Sequence, residues 1–157
     1  MKTESIQMKP IGIVHSPRTE MVDDLWGSVV STIELDSVQF TAEALYGLEQ
    51  FSHIEVIFYM DQVKLDQIQT GARHPRNRTD WPMVGIFGQR AKARPNRLGV
   101  SRCRLLKVEA LTITVQALDA IDQTPVLDIK PYLKEFGPKG EIVQPEWSKA
   151  LMDRYYV

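Results

Sequence analysis

A single cysteine, Cys103, in a chain of 157 residues excludes an internal disulfide and agrees with a reducing compartment. No apolar run reaches the length of a membrane-spanning helix, and the opening MKTESIQMKP has none long enough for a signal peptide, so the chain reads as cytoplasmic with no membrane partner. His15, His53 and His74 lack metal-ligand spacing; no metal is expected, and His53 reads as a core residue or a support behind a site. No Gly-x-Gly-x-x-Gly turn opens into a helix, which excludes the doubly wound type of nucleotide site. Repeats and low-complexity tracts are missing too, and no linker interrupts the chain before Gly137. With 43% hydrophobic residues, residues 1–157 read as one domain able to bury an ordinary core.

What the chain does contain is a series of short β-prone runs. Residues 11–15 are apolar and end at Ser16-Pro17, and residues 29–35 are rich in β-branched side chains. Residues 53–63 form the strongest run: Ile54, Val56, Phe58 and Met60 fall on one face, Glu55, Ile57, Tyr59 and Asp61 on the other. Both faces are largely apolar, so the strand is expected to be mostly buried. Further strands are predicted at 83–87, 98–108, 111–117 and 126–129, with a hairpin turn near Glu109-Ala110 and a stop at Pro131. Helix is scarce. Residues 41–46 predict about one turn, capped by Thr41 and closed by Gly47. Pro145 opens a terminal helix whose Trp147, Leu151 and Tyr155 share a face suited to docking on the rest of the fold or on a partner subunit. Residues 18–27 read as a mobile polar loop, and residues 64–82 as a long loop of the kind that often carries function. The pattern predicts a mainly β protein, an antiparallel barrel or sandwich with few helices.

Charge is distributed unevenly. Residues 73–104 hold nine Arg or Lys against one acid, a net of +8, while the remainder carries −9 beneath a total of −1. At the centre of this segment lies GIFGQRAKARPNRLGVS, residues 85–101, which sets Arg90, Lys92, Arg94 and Arg97 around a Pro95-Asn96 turn. Proline fixes φ at 95 and pushes Arg94 toward an extended conformation, so Arg94, Asn96 and Arg97 are expected to stand apart on a stiff loop. Guanidinium forks and a side-chain amide suit carboxylate, phosphate or a base edge. If the nine cations share a face they make a patch for a nucleic-acid backbone or a phosphorylated ligand; otherwise they are a solvated loop and strand ends. Cys103, between Arg102 and Arg104 with no His or Asp motif beside it, reads as a structural thiol. Asp128 and Lys130 read as an ion pair on a strand or as support for a site.

Four blocks occur in one order: IGIVHSPR at 11–18, GLEQFSHIEVIFYMD at 47–61, GIFGQRAKARPN at 85–96 and TPVLDIKPY at 124–132. Together they resemble the TsaA-like group, the TrmO family of S-adenosylmethionine-dependent tRNA methyltransferases, in which a Gly-x-Phe-x-x-Arg segment runs into Arg-Pro-Asn. The resemblance implies a small antiparallel β-barrel that binds S-adenosylmethionine. It also implies methyl transfer to the N6 amine of the threonylcarbamoylated adenosine beside the tRNA anticodon, and a homodimer with the cofactor near the subunit interface. In-line displacement of this kind asks for positioning and exclusion of water, with neither a nucleophile nor a metal. An anticodon-loop base can be splayed out and enclosed, so the amine is reachable without opening a duplex. The residues alone leave open a small-molecule or other nucleoside acceptor, or a cofactor- or RNA-binding module without turnover.

Residue by residue, the resemblance implies cofactor contacts at Trp26, Gly27, Met60, Asp61, Arg90, Val100, Gln123, Thr124, Pro125 and Val126. Arg90 is expected to pair with the cofactor's carboxylate, Met60 and Val100 to pack its adenine, and backbone groups of 123–126 to bond the adenine edge. Arg94 and Asn96 are candidates for positioning the target base. The chain departs from the family pattern at Gln123, where relatives carry glycine, and at Met60-Asp61, where they carry an aromatic-His pair. Gly88-Gln89 also departs, and the additional C-terminal domain of longer bacterial members, relevant to RNA selection, is not expected before Val157.

Overall fold

Period-two alternation closes the main sheet. The structure, a computed structural model describing residues 4–157, contains strands β1 (Gly12–His15), β2 (Val30–Leu35), β3 (His53–Tyr59), β4 (Ala72–Arg73), β5 (Val84–Gly85), β6 (Leu98–Glu109), β7 (Thr112–Gln116) and β8 (Pro125–Pro131), and helix α1 (Glu146–Met152). Six of them form a closed antiparallel barrel in the order β1-β2-β7-β6-β3-β8, while β4 and β5 pair separately. Alternate residues point inward: Val14, Ile33, Ile54, Val56, Ile113, Val115 and Val126 are fully buried and make one interior with Leu118 and Cys103. Each such side chain contributes about 1.5–3 kcal/mol on leaving water.

β3 lies between β6 and β8. Its register with β6 runs from His53 opposite Arg104 to Tyr59 opposite Leu98, which brings the end of β3 beside Gly99 and Val100. Beyond the strand, Met60 N donates to Arg97 O at 2.8 Å, so the Pro95-Asn96 turn is tied to the end of β3. A register shift at Ile57/Phe58 against β8 falls at this same end of the barrel.

Several expected elements take a different form. Residues 83–87 form only the two-residue β5, followed by a 3-10 turn at Ile86–Gly88, because the segment anchors through one buried side chain, Ile86, and has no second strand face to bury. The turn at Ala42–Leu45 is also 3-10, and Thr41 makes no side-chain cap bond; Gly47, at φ 82, closes it as expected. The loop at 64–82 holds two 3-10 turns, Leu65–Gln67 and Pro75–Asn77, as well as β4. Residues 18–27 are irregular yet tied down. Arg18 Nη1 donates to the carbonyls of Asp24 (2.6 Å) and Leu25 (3.2 Å), and its guanidinium lies 4.1 Å over the Trp26 ring. His53 is exposed and bonded to Ser52 Oγ at 2.8 Å, not part of the core: it sits on the outward face at the edge of β3.

Candidate functional site

One cleft of about 730 Å³ opens at the end of β3, walled by the 18–27 loop, the 87–100 segment, residues 119–124 after β7, and the C-terminal residues 147–156. The Arg94-to-Arg97 turn projects here because Arg97 N donates to Arg94 O at 3.0 Å and Arg97 takes a left-handed φ of 50. Strained backbone recurs around the opening, at Leu25 (φ 66), Arg76 (φ 50) and Asn77 (φ 57). Such positions cost on the order of 1–3 kcal/mol each and persist only where surrounding contacts hold them.

The arginines are set by specific acceptors. Arg90 Nη2 donates to Val100 O at 2.7 Å, and Arg94 Nη1 to Gln89 O at 3.1 Å. Arg97 Nη1 donates to Val63 O at 2.8 Å, and its guanidinium lies 4.5 Å over the Tyr59 ring. Gln89 is itself buried, its amide bridging Arg73 O (3.1 Å) and Val84 O (2.6 Å), so it sews the two-stranded β4–β5 unit to the arginine turn.

Three acids from elsewhere in the chain, and Asp80 from within it, neutralise much of the basic segment. Asp24 takes Arg76 in a fork at 2.6 and 3.0 Å, raising the guanidinium above its ordinary range chiefly through that hydrogen bond. Asp23 takes Lys92 at 3.1 Å, Asp80 takes Arg78, and Glu55 takes Arg102 at 2.6 Å, where the guanidinium also lies 4.9 Å from Tyr132. The nine cations therefore do not act as one patch. Arg90, Arg94 and Arg97 are the cations at the cleft that donate to backbone carbonyls in place of carboxylates.

The C-terminal segment docks on the rest of the fold through Trp147, Leu151 and Tyr155, one of the two partners expected for that face, and forms a wall of the cleft. Helix α1 sets Trp147 at 6.4 Å from Trp81, and the tail then runs beside the early loop. Leu25 N donates to Arg154 O at 3.0 Å and Trp26 N to Tyr155 O at 2.8 Å. Gly27 permits this approach: a Cβ there would stand 1.8 Å from Tyr156 O. The Tyr155 hydroxyl donates to Asp119 Oδ2 at 2.6 Å, and burial, then the Asp119 charge, push the phenol well above its ordinary range, so it stays a donor. Asp119 Oδ1 and Arg73 Nε, both on cleft residues, are buried without a partner among the described residues. Leaving such a group unsatisfied costs about 1–3 kcal/mol.

Of the sequence-derived candidates, Trp26, Met60, Asp61, Arg90, Val100 and Thr124 line the cleft together with Arg94 and Asn96. Gly27 packs on the tail backbone. Val126 is fully buried inside the barrel, Pro125 begins β8, and Gln123, at φ 64, turns outward to bond His15 and Asp122. Asp128 and Lys130 pair with each other on β8, away from these walls. Cys103 is buried in the barrel, and its thiol is pushed up to about 12, first by burial and then by Asp119, as suits a structural thiol. Asp119 and Tyr156 escaped the sequence reading, and Tyr155, expected on a docking face of the terminal helix, lies beyond the end of α1 and at the cleft. The one available signal was an isolated acid inside the apolar run Ala117-Leu118-Asp119-Ala120-Ile121.

The sequence of residues 16–137 matches the tRNA-methyltransferase O N-terminal domain family. The chain belongs to that family. It is 33% identical over 130 residues to the S-adenosyl-L-methionine-binding protein of Archaeoglobus fulgidus, covering 82% of this chain and 90% of that one. Against the tRNA (adenine(37)-N6)-methyltransferase of Escherichia coli it is 33% identical over 138 residues, 82% of this chain and 58% of the relative. A crystal structure of TrmO from Pseudomonas aeruginosa superposes with a TM-score of 0.71 at 29% identity, over 89% of this chain and 62% of that one. The chain thus spans nearly all of the archaeal relative and about three fifths of the bacterial ones.

Proposed function

We propose that this protein is an S-adenosylmethionine-dependent methyltransferase that methylates N6 of an adenosine beside the tRNA anticodon, the threonylcarbamoylated one being the preferred target. The observation that carries the reading is the cleft: Trp26, Met60, Asp61, Arg90, Val100 and Thr124, six of the ten residues implied for the cofactor in a member of this family, line one space with Arg94 and Asn96, although they come from four separate stretches of chain. The cleft also fits the cofactor chemically. It joins an indole and apolar side chains for a flat base (Trp26, Met60, Val100), guanidinium groups for a carboxylate, and two shielded orphans of opposite sign. A ligand that is aromatic at one end and zwitterionic at the other satisfies all three.

The bound cofactor supplies an electrophilic methyl group on a sulfonium. The protein's part is positional. Trp26, Phe58 and the C-terminal tyrosines keep water away from the reacting centre, which strengthens every polar contact inside it. Arg94 and the exposed Asn96 stand at the rim, where a splayed-out base enters, and hold its edge and phosphate so that the amine approaches opposite the leaving sulfur. Residues 1–157 act as one unit. Phe87, Leu98 and Val100 are exposed apolar side chains at the cleft, which supports a homodimer completed at this face. The enzyme works where tRNA resides, in the cytoplasm.

The test is calorimetric titration with S-adenosylmethionine, followed by label transfer from methyl-labelled cofactor to total tRNA. Binding with transfer that maps to the anticodon loop is expected; binding with no transfer to RNA would refute the acceptor. Arg94→Ala should lower the slope of log affinity for tRNA against log salt by about one. Sedimentation that stays monomeric at all concentrations would refute the dimer.

A further inference from the structure

We infer that Asp119 receives the ammonium group of the cofactor's amino-acid end, opposite an Arg90 that takes its carboxylate; this rests on the cofactor reading above. Asp119 lies just beyond β7 and lines the same cleft as Arg90. The two are anchored on successive residues of β6. Arg90 Nη2 donates to the Val100 carbonyl at 2.7 Å, and the Asp119 backbone N–H donates to Ser101 Oγ at 3.5 Å. Tyr156 lines the cleft with both; burial first, and then the Asp119 charge, push its phenol up, while Arg90 works the other way. An anion and a cation thus both line this cleft, tied to neighbouring positions of β6.

The carboxylate is also incomplete. Oδ2 accepts the Tyr155 hydroxyl, and Oδ1 is shielded from solvent with no donor among the described residues. An ionised carboxylate accepts at both oxygens, so a neutral hydroxyl on one leaves both charge and acceptor capacity unmet. A primary ammonium brings three N–H donors and the compensating charge. A sulfonium brings charge without a donor and does not satisfy Oδ1. Tyr155, whose carbonyl accepts the Trp26 N–H, is then a positioning residue that holds the Asp119 carboxylate through Oδ2.

The test is calorimetry with four probes: S-adenosylmethionine, S-adenosylhomocysteine, decarboxylated S-adenosylmethionine and 5′-methylthioadenosine. The last lacks the entire amino-acid end. In the native protein the decarboxylated probe should bind more tightly than methylthioadenosine; equal affinities would overturn the inference without any variant. Asp119→Asn should weaken the first three probes alike, by about tenfold or more, and leave methylthioadenosine unchanged. Arg90→Ala should weaken only the two probes that carry a carboxylate. An Asp119→Asn protein that binds S-adenosylmethionine normally, that loses methylthioadenosine equally, or that loses S-adenosylmethionine far more than S-adenosylhomocysteine would overturn the assignment. Tyr155→Phe, which retains the charge, should weaken the ammonium-bearing probes severalfold and spare methylthioadenosine. If the native protein binds none of the four, the cofactor reading itself falls, a result distinct from any of these patterns.

Discussion

Replacing Gly27 with alanine tests whether the C-terminal tail is part of the site. The added Cβ would stand 1.8 Å from Tyr156 O and 2.8 Å from its carbonyl carbon, so loop and tail must separate by more than about 1 Å to reach ordinary contact. Neither partner is a flexible side chain that can swing aside. The separation breaks the Leu25-to-Arg154 and Trp26-to-Tyr155 backbone bonds, about 1 kcal/mol each, and loosens the Tyr155-to-Asp119 bond. With overpacking strain of about 1–3 kcal/mol as the alternative, the tail releases once its docking is worth less than the strain, which caps the loss at roughly 2–4 kcal/mol. None of the barrel's own ladder bonds is involved, so the barrel should melt nearly as before. Hydrogen exchange should show the amides of Leu25 and Trp26 losing protection, and calorimetry should show weaker S-adenosylmethionine binding because Trp26, Tyr155 and Tyr156 no longer close the cleft. Unchanged amide protection together with unchanged affinity would refute the strap.

Gly99→Ala places a Cβ 2.2 Å from Phe58 Cε2 and 2.3 Å from Cζ, inside a core where that ring is 4% exposed. A loss of about 1–3 kcal/mol is expected in thermal denaturation, with recovery in the double variant that also carries Phe58→Leu; an unshifted melting curve would refute it. Asp24→Asn should cost about 1 kcal/mol by urea denaturation, and a double-mutant cycle with Arg76→Ala should recover coupling of that size, since both side chains are about one-quarter to one-third exposed. Zero coupling would mean the fork does not hold the loop. Cys103 gives the pH prediction: its thiol ionises near 9.0 ordinarily and near 12 when buried. The folded value is the raised one, so this contribution to stability is complete below about pH 9 and is lost as pH climbs toward 12. Iodoacetamide at pH 8 should label Cys103 slowly in the native protein and quickly in urea; equal rates would refute the burial argument.

The barrel was legible because burial on one face forces alternation. Ile113 and Val115, or Ile54, Val56 and Phe58, could not slip by one residue without turning the whole set into water. Ala110, at φ 51, closes the hairpin where the alternation pauses. The readings that needed correction lack that constraint. At 83–87 one apolar anchor, Ile86, is satisfied equally by a strand or a tight turn, and a single anchor does not choose between them. His53 begins an apolar strand, yet its place on the outward face leaves the ring in solvent, a matter of register that local composition does not record.

The cleft was legible only in part. Trp26, Arg90 and Arg94 carry recognisable chemistry, but the wall opposite them is built from backbone contacts between residues about 130 apart in the chain, and a backbone contact leaves no mark beyond the small residue that permits it. Charge misled for a related reason. The net of +8 over 73–104 describes a stretch of chain, whereas a phosphate meets a field in space, and Asp23, Asp24 and Glu55 enter that space from outside the stretch. Arg76, Lys92 and Arg102 are thereby occupied, and RNA must displace a carboxylate to use them. Arg94 and Arg97 need no such exchange, because their partners are carbonyl oxygens that leave the full positive charge in place. The affinity of this protein for RNA should therefore follow the arginines of the Pro95-Asn96 turn, and the count of cations in the segment should overstate the salt dependence.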